Sequence, residues 1–299
     1  MAEIPSYSAT VGVAKVAPHG VSGTPAGQLE EPLPRPVFDA AGAGRRRGQA
    51  AGRLATNCGV HLAVLVLWQA LVDYFHVPAF VLPSPLRTLA TLGSSNYAWV
   101  SNSAVTAAEI FGGYALGIVV GVSLALVFSW WRIASLLLLP LFVTLNMIPK
   151  VALGPLFIVW FSYGIVPNML IAFSICFFPI LLTTARGVKE VEPDLLDLVR
   201  SLRGSRWQLF RKIQLPGALP YVFSGMRVGA ILAVAGATVG EFIASERGLG
   251  YLMIQVQASL DTPAMLMAVI LLTLIGVLLY GLVLGLEYLC VVEDASIKD

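Results

Sequence analysis

Charge is scarce in this 299-residue chain: 17 Asp and Glu and 19 Lys and Arg make 12% of the residues, about half the share of an average soluble domain. Histidine is scarcer still. His19, His61 and His76 are scattered, and neither HExxH nor GxSxG occurs, which excludes the common zinc-protease and serine-hydrolase arrangements. Cys58, Cys176 and Cys290 show no CxxC spacing, so they read as small buried hydrophobes rather than metal ligands or disulfide partners. A GxxxxGK[ST] phosphate loop is also missing. The nearest candidate, Gly204 to Lys212, lacks the second glycine and is followed by Ile213. No catalytic residue, metal site or bound cofactor is therefore expected. The first fifty or so residues hold no apolar core long enough for a secretory signal.

Apolar residues are what the chain has in excess: 57% hydrophobic, with a mean hydropathy of +0.81. The bilayer is the solvent this composition fits, since a crossing helix needs about 20 mostly apolar residues. Four runs meet that need plainly: Leu54 to Phe75, Ile110 to Trp131, Met169 to Thr184 with its flanks, and Met265 to Leu289. Leu136 to Trp160 is apolar except for Asn146 and Lys150, and Pro140, Pro149 and Pro155 interrupt it. It reads as one kinked crossing that faces protein or a cavity, where freed carbonyls find partners. Ala218 to Ala244, with Gly225, Gly229, Gly236 and Gly240, makes the sixth. Gly112, Gly113, Gly117 and Gly121 on the second crossing permit close helix contact, within one subunit or between two.

The net charge of +2 argues neither for nor against nucleic acid, and no nucleic-acid partner is expected. Its distribution is more informative. With a cytoplasmic N-terminus, Arg45, Arg46, Arg47, Arg53, Arg132, Arg186, Lys189 and the basic stretch after Arg200 all lie inside, leaving Arg87 and Arg247 in external loops. Residues 1–52, rich in Ala, Gly and Pro, read as a disordered cytoplasmic tail, and residues 53–299 as the membrane domain. The Arg triplet is either an orientation anchor or a patch for anionic lipid.

One stretch breaks the scarcity of charge. RSLRGSRWQLFRKIQLPGALP, Arg200 to Pro220, gathers Arg200, Arg203, Arg206, Arg211 and Lys212 around Trp207 and Phe210. Upstream, Glu192-Pro193-Asp194 is a helix start, followed by Leu195, Leu198, Val199 and Leu202 on one face. That helix is expected to stop at Gly204. Ser205 with Gln208 three residues on has the spacing of a capping box for a second helix, which Pro216 is expected to end. Such a pair either lies on anionic headgroups or docks in a groove of a soluble partner.

The stretch resembles the cytoplasmic loop of ABC-importer permeases, whose signature is Glu-Ala-Ala, three residues, Gly, nine residues, Ile, one residue, Leu-Pro. Anchored on Ile213, Leu215 and Pro216, the register puts Asp197, Leu198 and Val199 on Glu-Ala-Ala and Arg203 on the signature glycine. The copy is degenerate. Leu198 and Val199 are bulkier than the pattern expects, and Gly204 sits one position late. MIPKVALGPLFIVWFSYG, LPSPLRTLATL and VGEFIASERGLGYLM are similar to the third-crossing motif, the external amphipathic segment and the last external loop of the nitrate, sulfonate and taurine type. Together the motifs span nearly everything after residue 53.

The resemblance implies an all-α membrane protein, the type I importer permease fold with six transmembrane helices and a cytoplasmic coupling-helix pair. It implies a multi-pass subunit of the bacterial cytoplasmic (inner) membrane with both termini inside, paired as a homodimer. Two copies of an ABC ATPase would bind and hydrolyse ATP, and an extracytoplasmic binding protein would deliver a small nutrient. ATPase coupling falls to Asp197, Arg203, Gly204, Ser205, Trp207, Phe210, Leu215 and Pro216. Charges at membrane depth are functional suspects: Glu109, Lys150 and Glu241 are the candidates for the substrate pathway. Lys150 either attracts an anionic substrate, pairs with a carboxylate such as Glu109 or Glu241, or snorkels to an interface. Glu241 contacts either the binding protein or the substrate, and Arg227 reads as a structural charge. Glu109 stands where many nitrate and sulfonate permeases resemble one another in carrying Arg. With IPKVAL, GEFI and LDTP, this is more similar to members assigned to thiamine-pyrimidine precursors, riboflavin or other organic ring compounds. The alternatives are a secondary transporter, for which no clear internal repeat is visible, or a channel with a membrane-surface helix pair.

Overall fold

The computed structural model describes Thr56, residues 59–190 and residues 193–291. The expected tail, residues 1–52, lies outside the described residues, as does Cys58. Among the described residues the chain is helical throughout. A short apolar helix, α1 (Gly59–Tyr74), leads through a loop to α2 (Pro85–Ala90), whose first turn is capped by Ser84. Then come α3 (Trp99–Trp130), α4 (Arg132–Asn146), α5 (Gly154–Phe161) and α6 (Ile165–Lys189). The charged segment supplies α7 (Pro193–Ser201) and α8 (Arg206–Leu209). A π-helical turn (Phe210–Gln214) joins α8 to α9 (Leu215–Ala244), and α10 (Leu249–Ala258) and α11 (Thr262–Cys290) follow.

Four helical stretches are long and apolar enough to cross a membrane: Ser95–Trp130, Ile165–Lys189, Arg206–Ile243 and Thr262–Cys290. The second expected crossing starts earlier than its apolar run, at Trp99 rather than Ile110, because Asn102, Thr106 and Glu109 find partners inside the bundle. The proline-rich third segment is more than a kink. Ile133–Asn146 and Lys150–Phe161 meet at 86°, turning at Pro149, with Pro155 in the first turn of α5 where its missing N–H costs nothing.

The core is built around α6, which lies between α3 and α9. On one side Gly113, Gly117 and Gly121 of α3 face it. A Cβ at Gly113 would come within 2.6 Å of the Met169 carbonyl, and one at Gly117 within 2.6 Å of the Cys176 sulfur. On the other side Gly225, Gly229, Gly236 and Gly240 of α9 do the same, Gly236 against the Ala172 Cα at 2.8 Å. The small residues of α3 therefore serve contact within the subunit. Ile171, Ala172, Cys176, Ile180 and Leu181 are fully buried between the two stripes. Cys176 is thus the small buried residue expected, whereas Cys290, in the last turn of α11, is exposed. Arg227 on α9 pairs with Glu287 on α11 at 3.6 Å.

Replacing Gly236 by Val should overpack a backbone contact that no rotamer change relieves, costing about 1–3 kcal/mol. Gly285→Val on α11, where a Cβ meets nothing within 4 Å, is the control. Thermal unfolding of the detergent-purified subunit should show a lowered midpoint for the first and no change for the second.

Candidate functional site

The candidate side chains gather mainly at the two ends of the α3–α6–α9 core. At one end is the basic segment. The helix α7 begins at Pro193, with Asp197 exposed along it. The turn that stops it is made by Arg203, which takes the left-handed conformation at φ 54°, not by the glycine beside it. The register that placed Arg203 on the signature glycine therefore identifies the position that needs positive φ. Gly204 serves differently: its N–H donates to the Val199 carbonyl at 2.8 Å, and a Cβ there would strike the Val199 side chain at 2.6 Å.

The capping box forms as its spacing predicts. Ser205 Oγ accepts from the Gln208 N–H at 3.2 Å and Gln208 Oε1 accepts from the Ser205 N–H at 2.8 Å. The expected stop at Pro216 does not occur. The Leu215 N–H reaches back five residues to the Phe210 carbonyl, and the widened π turn lets Pro216 enter the first turn of α9, where proline is tolerated. The helix therefore runs unbroken from Arg206 to Ile243.

Trp207 and Phe210 stack at 5.9 Å, and both meet Trp130, the last residue of α3, at 6.0 and 5.6 Å. Trp207 remains 56% exposed while Phe210 is half-buried, so the pair divides its surface between solvent and α3. Trp130 was not among the sequence candidates. As an apolar residue closing an apolar run, it carried no separate signal.

At the opposite end the structure brings Glu109 and Glu241 together and leaves Lys150 apart. Both carboxyl side chains are buried, at 0% and 1% exposure. The two carboxyl groups lie close enough to interact, and Glu109 Oε2 has no hydrogen-bond partner among the described residues. Glu109 Oε1 accepts from Asn168 Nδ2 of α6 at 2.9 Å. Glu241 accepts from the Thr106 hydroxyl and from the Gly250 N–H. Thr106 in turn accepts from the Leu249 N–H at 2.8 Å, and Asn102 Oδ1 from the Gly248 N–H at 2.9 Å. Asn102, Thr106 and Asn168 were missed, though a signal existed: residues 102, 106 and 109 recur at helical spacing on an otherwise apolar helix.

Lys150 sits at the bend between α4 and α5. Its ammonium donates to the Asn146 carbonyl at 2.7 Å and to Asn146 Oδ1 at 2.9 Å, and lies 5.0 Å from the Phe178 ring centre. It thus neutralises the carbonyl end of α4 and pairs with neither glutamate.

Residues 113–287 match the family model described as the binding-protein-dependent transport system inner membrane component. The chain is 36% identical over 238 residues to the riboflavin transport system permease protein RibX of Chloroflexus aurantiacus, covering 79% of this chain and 88% of that protein. It is 31% identical over 227 residues to the formylaminopyrimidine transport permease protein ThiX of Halalkalibacterium halodurans, 76% of this chain and 90% of that one. Against the putative aliphatic sulfonates transport permease protein SsuC of Bacillus subtilis it is 27% identical over 235 residues, 75% and 82% of the two chains. Among solved structures, a chain of the inward-facing MetNI methionine ABC transporter superposes with a TM-score of 0.50 at 21% identity, covering 64% of this chain and 98% of that chain.

Substitutions at two positions test this geometry. Arg203→Gly removes left-handed strain of about 1 kcal/mol and should keep transport at or above the parent level, whereas Arg203→Val should lower it. A loss with glycine would show that the guanidinium itself is needed. At the other end, Glu109→Gln can still accept from Asn168. Glu109→Leu strands the buried Asn168 amide, at a cost of about 1–3 kcal/mol, which thermal unfolding of the two variants should resolve.

Proposed function

Because this chain belongs to the family of binding-protein-dependent transport system inner membrane components, and is thus the permease subunit of an ABC importer, we propose that it forms a homodimeric pathway driven through residues 193–216. The observation that carries the coupling role is the unbroken helix from Arg206 to Ile243. A soluble ATPase gripping α8 holds the end of a membrane span, so its displacement enters the bilayer without a flexible joint. Asp197, Arg203 and Trp207, exposed on this segment, are the groups offered to it. Gly204, Ser205, Phe210, Leu215 and Pro216 shape the segment that bears them.

The topology that goes with this reading puts α8 and both termini in the cytoplasm. Two ATPase copies supply ATP binding and hydrolysis, one per permease, and an extracytoplasmic binding protein delivers the substrate. Six crossings result if α1 and the bent α4–α5 pair each span once. The tail of residues 1–52 is cytoplasmic in this arrangement. Each partner answers a need of the fold, because a permease can favour inward or outward opening only if something binds the two states differently.

For substrate, we propose a small organic ring compound of the riboflavin or pyrimidine-precursor class over an oxyanion. RibX and ThiX align at higher identity than SsuC. Lys150 is the pathway candidate, at a proline-broken bend with a partly exposed ammonium. Glu109 and Glu241, enclosed within the subunit, act on the pathway by fixing the helices beside it.

The test is ATP hydrolysis by the permease reconstituted in lipid with its ATPase, with and without binding protein loaded with riboflavin, a formylaminopyrimidine or an aliphatic sulfonate. Stimulation by a ring-compound complex is the expected result. Trp207→Asp should abolish the stimulation while leaving the subunit inserted. Failure of the permease to retain any ATPase subunit would overturn the coupling role, and stimulation by the sulfonate complex alone would overturn the substrate class.

A further inference from the structure

The first backbone N–H groups of a helix have no partner within it. In α10 they are taken by side chains of two other helices: Gly248 by Asn102, Leu249 by Thr106, and Gly250 by Glu241. Asn102 and Thr106 belong to α3 and Glu241 to α9, and the Thr106 hydroxyl donates to Glu241, closing the ring. The fit is close enough to demand glycine. Gly248 has φ 115°, and a Cβ there or at Gly250 would fall within 2.2 or 2.7 Å of the Glu241 carboxyl oxygens. Leu249, Leu252 and Val256 then pack beneath α10 at 0%, 5% and 6% exposure. So α10 hangs from α3 and α9 jointly.

Those same two helices carry the coupling segment at their other ends. α9 continues into α8 through the π turn. α3 ends on Trp130, whose ring meets Trp207 and Phe210. Between these ends α3 runs as one helix of 32 residues, roughly 48 Å. Any slip of α3 against α9 imposed at Trp130 changes the separation of Thr106 from Glu241, the two jaws that hold α10.

We propose that Asn102, Thr106 and Glu241 are positioning residues of transport: they form a clasp on α10 whose grip follows the state of the coupling segment, with Trp130 passing the displacement into α3. This rests on the coupling role proposed for residues 193–216. The clasp is then the element through which nucleotide state at one membrane face is felt at the other. Coupling of this kind needs two discrete arrangements that both ends bias, and a ring of buried hydrogen bonds is either made or broken.

The test uses Val256→Cys, buried under α10, in the full chain with Cys58→Ser and Cys290→Ser, complexed with the ATPase in detergent. Maleimide labelling of position 256 reports opening of α10. Labelling rates are compared in the nucleotide-free and the ATP–vanadate-trapped complex, with ATPase retention measured in parallel. The expected result is a state-dependent rate. Thr106→Val should raise labelling about tenfold, as loss of a buried hydrogen bond does, and erase the state dependence, while Thr106→Ser restores it. Trp130→Ala should erase the state dependence without raising the nucleotide-free rate, and Trp130→Phe should keep it. Equal rates in the two states of the parent, or full state dependence surviving either Thr106→Val or Trp130→Ala, would overturn the clasp. Loss of the ATPase from the parent complex would overturn the coupling reading with it, and is seen separately.

Discussion

The structure depends on how closely α6 can approach its two neighbours. Within a bilayer, association of helices draws little from the hydrophobic effect, because lipid tails are as apolar as leucine, and close packing must supply the energy instead. Glycines on α3 and α9 let both backbones press against α6, and Ile171, Ala172, Cys176 and Ile180 fill what remains. The α3–α6–α9 unit is therefore joined by close backbone contacts along its length.

The second constraint is the accounting of polar groups inside that unit. Two carboxyl side chains away from water are expensive, and the chain offsets part of the cost with donors from three separate elements: Thr106 of α3 and the Gly250 N–H of α10 on Glu241 of α9, and Asn168 of α6 on Glu109 of α3. The same contacts satisfy the open end of α10. One set of interactions thus serves both Glu241 and the start of α10.

Much of this was legible in the sequence, and what was not has physical reasons. Apolar length placed the helix cores, Pro193 a helix start, and Ser205 with Gln208 a capping box, because each of these rests on contacts within a few residues. The true start of α3 was hidden, because Asn102 and Thr106 are polar by composition and become tolerable only through partners more than a hundred residues away. Pro216 misled for a related reason. A proline forbids an α-helical hydrogen bond but not a π turn just before it, and propensity alone does not distinguish the two. At Arg203 the family register named the position that turns, while residue preference pointed to Gly204; the backbone follows the register. Glu109 and Glu241 were identified as costly membrane charges, but nothing local revealed that they face each other.

The π turn also explains how the basic segment keeps its helix despite poor local material. An α-helix broken at Pro216 would leave the stretch from Arg206 to Leu215 as a separate short piece, too short to persist in water without tertiary support. Joining it to α9 gives it the stability of a membrane span, and the contact of Phe210 with Trp130 anchors its other side on α3. The widened turn at Phe210 to Gln214 keeps the backbone continuous between α8 and α9, so α8 is held both by the span that follows it and, through Trp130, by α3.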